Sequence, residues 1–287
     1  MSLQTGAEAL ADGLPDLLVQ ADHLANTVML GTHGRRRPGQ GDDFWQYRPM
    51  VAGDSLRDVD WRRSARGDTS FVRQREWQLA QSVTLWVDPA ASMRFASVKG
   101  GVTKAQRAQV LGLAAAILML RAGERVGLAD PMIPPGRSRA QKRLLAAALQ
   151  TTAEGDYLTP DPDRLAVRSS ALFLSDFLAP IDAIEDAVTR AADRGITGAL
   201  VQVLDPAEET FPFRGRTIFQ STGGTLNHET RKAADLRGRY LDRLAARKEA
   251  LARLAQRTGW LVTSHHTDQP ALPGLVWIYG AMQRARA

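Results

Sequence analysis

Apolar positions recur along this chain with two periods that alternate. Over roughly 15–30, Leu17, Leu18, Ala21, Leu24, Ala25 and Val28 keep the three-and-four spacing of one helical face, which predicts a helix docked on the body of the protein. From Ser82 onward, short apolar runs alternate with longer amphipathic stretches. The runs 83–87, 125–129, 171–174, 198–204 and 260–263 predict strands, the stretches 104–121, 140–149, 181–194 and 229–257 predict helices, and 210–220 reads as a hairpin. Alternation at this spacing predicts an α/β fold, Rossmann-type, with a mostly parallel sheet flanked by helices. Between 43 and 79 the pattern shifts to short aromatic and β-branched stretches broken at Gly53-Asp54 and Gly67-Asp68, which predicts a small β-rich insertion. The expected organisation is an N-terminal helical segment (1–34), a β-rich, Arg-containing subdomain (35–81) and an α/β domain (82–287).

Composition narrows the chemistry. The 287 residues are 44% hydrophobic and 24% charged, close to the globular norm, so a sizeable core is available. There is no cysteine, which excludes disulfides, thiolate metal sites and a cysteine nucleophile. The longest apolar run, Val110 to Leu120, falls short of the roughly 20 residues that cross a bilayer and predicts a buried helix. Acidic residues at 8, 12 and 16 interrupt the N-terminal stretch, so no secretory signal is expected and a cytosolic location follows, peripheral to the inner membrane at most through partners.

The net charge of +6 comes largely from arginine in two concentrations. The second, Arg231 to Arg257, is interspersed with Glu229, Asp235, Asp242 and Glu249, as on a solvated, ion-paired helix. In the first, Arg48, Arg57, Arg62 and Arg66 alternate with Asp54, Asp58 and Asp60, where planar guanidinium groups can bridge carboxylates within a thin β layer. Trp45, Trp61 and Trp77 are expected to pack between this insertion and the α/β body rather than to form a base-stacking platform. The triplet Arg35, Arg36 and Arg37 sits in a Gly/Pro-rich stretch and remains available to an acidic partner. A competing reading makes the arginines a nucleic-acid or anionic-lipid surface, but no zinc finger, aromatic ribonucleoprotein motif or zipper accompanies them.

Ligands of open parallel sheets bind beyond the carboxyl ends of the strands, where strand order reverses. Two acids stand at such ends, Asp88 after the first run and Asp176 after the third. With the hydroxyl of Ser92 they form an oxygen set suited to Mg²⁺; the competing structural reading has Asp88 and Ser92 capping the turn and the next helix. His265 and His266 are adjacent, so on an extended strand they face opposite ways and cannot share a metal. No nucleophile elbow or phosphate loop is present.

One series of short motifs is more specific. Gly41-Asp42-Asp43-Phe44, Arg48, Gly53-Asp54, Arg57, Asp60-Trp61, Ser64-Ala65-Arg66, Arg75-Glu76, Val87-Asp88, Ser92-Met93, Leu174-Ser175-Asp176, Leu204 to Glu208 and Tyr240 together resemble the DUF58 family, whose members carry a von Willebrand factor A-like domain. The resemblance implies an A-type α/β domain, a β-rich insertion and pairing with a MoxR-type AAA+ ATPase or its client. It implies structural roles for Arg48, Asp54, Arg57, Asp60, Trp61 and Arg66, and a metal-ion-dependent adhesion site with Asp88, Ser92 and Asp176 as ligands and Thr159 as the threonine donor. Ala90 stands where that site's middle serine belongs, so one hydroxyl is missing and Mg²⁺ binding is expected to be weakened. The function expected is a non-enzymatic protein-interaction module that engages its partner through the strand-tip surface around Asp88, Ser92 and Asp176, with no nucleotide cofactor. The alternative is a Mg²⁺-dependent phosphoryl-transfer or phosphoesterase enzyme using Asp88.

Overall fold

A computed structural model describes residues 16–28, 44–50, 59–65, 67, 70–75, 81–221, 223–224 and 227–285. The chain divides into two units, Thr32–Ala80 and the remainder, so the N-terminal helical segment belongs with the larger unit rather than standing apart.

In the larger unit, helix α1 (16–28) buries Leu17, Ala21, Ala25 and Val28, the stripe its spacing predicts. In the smaller unit, β1 (Phe44–Pro49) pairs antiparallel with β2 (Phe71–Arg75), and the short α2 (Trp61–Ser64) lies between them in sequence. Trp61 opens a single helical turn and is 60% exposed.

The sheet of the larger unit contains β3 (Ser82–Val87), β4 (Arg125–Leu128), β5 (Ile133–Gly136), β6 (Ser170–Ser175), β7 (Thr197–Leu204) and β10 (Leu261–His266) in the order β10-β7-β6-β3-β4-β5. All neighbours run parallel except β5, which returns antiparallel to β4. This is the mostly parallel α/β architecture that the alternation predicts. The antiparallel edge was not expected, because Pro134 and Pro135 fill half of β5 and read as a turn.

Helix α3 (Lys104–Arg121), α4 (Gln141–Ala148), α8 (Ala271–Arg284) and α1 cover one face, packing on Val83, Leu85, Val87, Leu172 and Leu174. Helix α5 (Ile181–Asp193) and α7 (Arg237–Thr258) cover the other, against Trp86, Phe173 and Leu200. Alternate side chains of β3 thus serve opposite cores, as the pleat requires. Helix α3 comes close to the sheet because Gly112 has no Cβ; one built there would lie 2.9 Å from Val87 Cγ2.

Between β7 and α7 the structure corrects the sequence reading. A short α6 (Pro206–Thr210) follows β7, and the hairpin comes later, as β8 (Thr217–Gln220) paired with β9 (Asn227–Thr230). Helix α7 therefore starts at Arg237, after a 3-10 turn over Ala233–Leu236, rather than at 229.

Candidate functional site

The strand order reverses at β3, with β4 on one side and β6 on the other, and Asp88 and Asp176 stand at the carboxyl ends of β3 and β6. The two strand tips are tied together. Asp88 N–H donates to Leu174 O at 2.9 Å, and Ser175 Oγ donates to Asp88 Oδ2 at 2.6 Å. The other Asp88 oxygen accepts from Ala90 N at 2.9 Å, the turn-capping bond of the competing structural reading. The following loop is zipped to the 153–156 segment through Ala91 N to Gly155 O and Ser92 N to Asp156 O.

The acids converge as expected, but both are sealed: Asp88 is 3% exposed and Asp176 1%. Neither can touch a partner directly, which corrects the docking face inferred from sequence. Burial, with Asp176 nearby, pushes the Asp88 carboxyl up to about 7 against the pull of the Ser175 hydrogen bond.

A lysine that the sequence reading passed over sits at the centre of this cluster. Thr103 and Gln106 cap α3 reciprocally, which fixes Lys104 as its first residue, and the helix delivers Lys104 Nζ to Asp176 Oδ2 at 2.8 Å and Glu208 Oε1 at 2.6 Å. The ammonium lies 5.8 Å from the centre of the Phe95 ring, and the residue is 1% exposed. Burial opposes its charge, but the two carboxylates outweigh burial and hold it above the ordinary lysine value. A cation at a helix N-terminus opposes the macrodipole. A lysine as the first residue of this helix was therefore the available signal of a local carboxylate partner.

Glu208 is fixed by its own helix. Asp205 caps α6 by accepting from Ala207 N at 2.8 Å, and Glu208 Oε2 reaches back to Asp205 N at 2.9 Å. The second Asp205 oxygen accepts from Ser97 N, tying the loop before α3 to this corner. Helix α6 ends at Phe211 with φ +43, and Phe177, just after Asp176, has φ +51. Two of the three non-glycine residues with positive φ among the described residues therefore border the site, where local backbone strain concentrates.

These bonds decide how well the residues suit a divalent cation. Both Asp88 oxygens and Asp176 Oδ2 are engaged, Asp176 Oδ1 accepts from Leu178 N at 3.0 Å, and Ala90 offers no side-chain oxygen. Thr159 is exposed and forms no hydrogen bond to Asp88, Ser92 or Asp176. Among the described residues, no group of three or more His, Asp or Glu side chains is placed to hold a metal. The donor set does not fit Mg²⁺, because the Lys104 ammonium takes Asp176 Oδ2, and Ser175 and backbone amides take the remaining oxygens of Asp88 and Asp176. Ser92 Oγ is the exception, buried with no hydrogen-bond partner.

Beside this cluster opens a cavity of about 610 Å³. Lys104, Glu208 and Ser92 contribute to its floor, and Phe95, Tyr157 and Leu178 to its lining. Its aromatic wall is assembled from α6, the hairpin and α7. Phe211 packs on Phe213, Phe219 and Tyr240 with ring centres 5.2, 5.7 and 4.9 Å away. Arg239 and Arg243, one turn apart on α7, complete the lining.

Residues 46–250 match the family described as protein of unknown function DUF58. The chain belongs to the DUF58 family. Uncharacterized proteins of Mycobacterium bovis and of two strains of Mycobacterium tuberculosis are each 26% identical to it over 294 residues, covering 96% of this chain and 90% of theirs. Among solved structures, this DUF58 chain is similar to the conserved hypothetical protein BatB from Bacteroides thetaiotaomicron (12% identity, TM-score 0.44, 72% of this chain and 99% of that one). It is also similar to an aerotolerance-related membrane protein from Bacteroides fragilis NCTC 9343 (13% identity, TM-score 0.40, 71% and 100%). No described helix of the DUF58 chain is long and apolar enough to cross a membrane.

Asp60 is buried in the smaller unit, where its carbonyl accepts from Ser64 N and Ser64 Oγ. Arg48 belongs to β1, but its side chain is outside the described residues, as are Arg35, Arg36, Arg37, Asp54, Arg57 and Arg66. His265 is buried near Arg107, whereas His266 lies 3.1 Å from Glu209, so the pair diverges as their adjacency predicts.

Proposed function

We propose that this DUF58 protein is a non-enzymatic interaction module whose contact site is the aromatic cavity at the carboxyl edge of the sheet. The partner class that the sequence resemblance points to is a MoxR-type AAA+ ATPase or its client. The observation that carries the reading is the pairing of a closed charge cluster with an open apolar cavity. The acids at the strand tips are used up by Lys104, Ser175 and backbone amides. The adjoining cavity leaves aromatic surface and arginines available to another molecule. In this reading the degenerate adhesion site works without a metal, with the Lys104 ammonium supplying the positive charge. Phosphoryl transfer from Asp88 is disfavoured, because a nucleophile needs an accessible oxygen and both of its oxygens are buried and bonded.

The test is co-elution of the purified chain with the MoxR-type ATPase of the same genome, with and without EDTA. The expected result is a complex that EDTA does not dissolve and that Phe213→Ala with Phe219→Ala weakens at least about tenfold. Absence of a complex removes the ATPase assignment. A Mg²⁺-dependent phosphatase or nuclease activity that Asp88→Asn abolishes restores the enzyme alternative.

A further inference from the structure

We infer that the cavity takes an acidic segment of the partner, with an aromatic or long aliphatic side chain entering between Phe213, Phe219 and Tyr240 and neighbouring carboxylates meeting Arg239 and Arg243. The inference rests on the interaction reading above and specifies the chemistry of what docks.

Charge supplies the first argument. Most of the basic side chains described along α7 have partners: Arg237 donates to Thr210 O, Arg247 to Ala179 O, Lys248 pairs with Glu209, Arg253 with Glu249 and Arg257 with Glu185. Arg239 and Arg243 are exposed, and neither has a carboxylate or hydrogen-bond partner among the described residues. Like charges at this four-residue spacing repel. An anion between them relieves that repulsion, and a guanidinium binds a carboxylate through two parallel hydrogen bonds.

The cavity floor supports the same sign. Two carboxylates line it: Glu208 is committed to Lys104 and to the Asp205 amide, and Asp156 accepts from Gly223 N at 2.6 Å, so both are engaged within the protein while Arg239 and Arg243 are not. Ser92 Oγ, the unpartnered polar atom there, can donate to a carbonyl or carboxylate of the segment.

Tyr157 adds a further half-exposed ring to the lining, at 40% exposure. A partner segment that seats an apolar side chain among the rings covers it as well.

The experiment is to pan a random-peptide phage library on the intact chain and measure the selected peptides, made synthetically, by fluorescence anisotropy. Peptides combining Asp or Glu with Trp, Phe or Leu are expected. Affinity should fall at least about tenfold in R239E/R243E, fall far less in R239K/R243K, and weaken as salt rises. Enrichment of basic peptides, no enrichment at all, or binding indifferent to R239E/R243E overturns the inference. So does Arg239- and Arg243-dependent binding of the aromatic sulfonate 8-anilinonaphthalene-1-sulfonate in the absence of any selected peptide, which assigns the cavity to a small organic anion. A complex with the ATPase that survives R239E/R243E sinks this inference alone. Selected acidic peptides without an ATPase complex sink the partner assignment alone.

Discussion

Two neighbouring regions at the same edge of the sheet are built on opposite principles. Around Lys104, three buried charged side chains and the partly buried Glu208 are bonded to one another or to the backbone. Around Phe211, apolar rings line an open cavity, and two arginines beside it lack partners. A satisfied charge cluster holds strand tips and helix starts in place but has nothing left to offer a ligand. The region beside it is costly to leave exposed and is where binding energy is available. Proximity to the strand ends identified both regions, and hydrogen-bond satisfaction separates scaffold from site.

The comparison breaks most visibly at Lys104. Lys104→Met leaves the Asp176 and Glu208 carboxylates buried together without their cation, with an expected loss of about 3–5 kcal/mol in urea unfolding. Adding Asp176→Asn and Glu208→Gln should recover most of that loss; if the single variant unfolds like the wild type, the cluster is not the scaffold described.

Asp88 gives a pH-dependent test. Its folded value of about 7 lies above the ordinary 3.8, so between those values the folded chain holds a proton that the unfolded chain releases. Its contribution to stability is therefore fully present below about pH 4 and is lost as pH rises through 7, by up to about 4 kcal/mol. Thermal unfolding of Asp88→Asn should lack this component and should exceed the wild type near pH 8. Equal pH profiles for the two proteins place the carboxylate in a wetter setting.

Smaller effects are expected at the cavity. Phe219→Ala removes a partly buried ring from the wall and should cost about 1–2 kcal/mol. R239E/R243E should change stability by no more than about 0.5 kcal/mol while abolishing binding of the acidic peptides. The smallest effect is expected from metal: Mg²⁺ or Mn²⁺ should give no binding isotherm with the wild type and no shift in its melting temperature. A saturable isotherm that Asp88→Ala abolishes restores the adhesion-site reading.

Much of the fold was legible because buried parallel strands are short apolar runs and their crossover helices carry 3.6-residue stripes, as in β3, α3, β6 and α5. Helix α8 went unread because Pro273 and Gly274 punctuate its first turn, and β5 because of its prolines. The hairpin was displaced because Phe211-Pro212-Phe213 has strand composition but begins with the left-handed cap of α6. Asp88 and Asp176 were legible from the switch-point rule. Lys104 was not, because lysine ordinarily faces solvent and its two carboxylates lie 72 and 104 residues away. The cavity was illegible for the same reason: its wall joins three elements whose rings share no sequence period.

Strand β5 also limits how this chain can associate with others. Of its four residues, Pro134 and Pro135 carry no amide hydrogen, so a newcomer strand would find half the donors missing along that border. Fibre-like growth from that margin is blocked by the covalent structure of the backbone itself, and recognition is left to side chains.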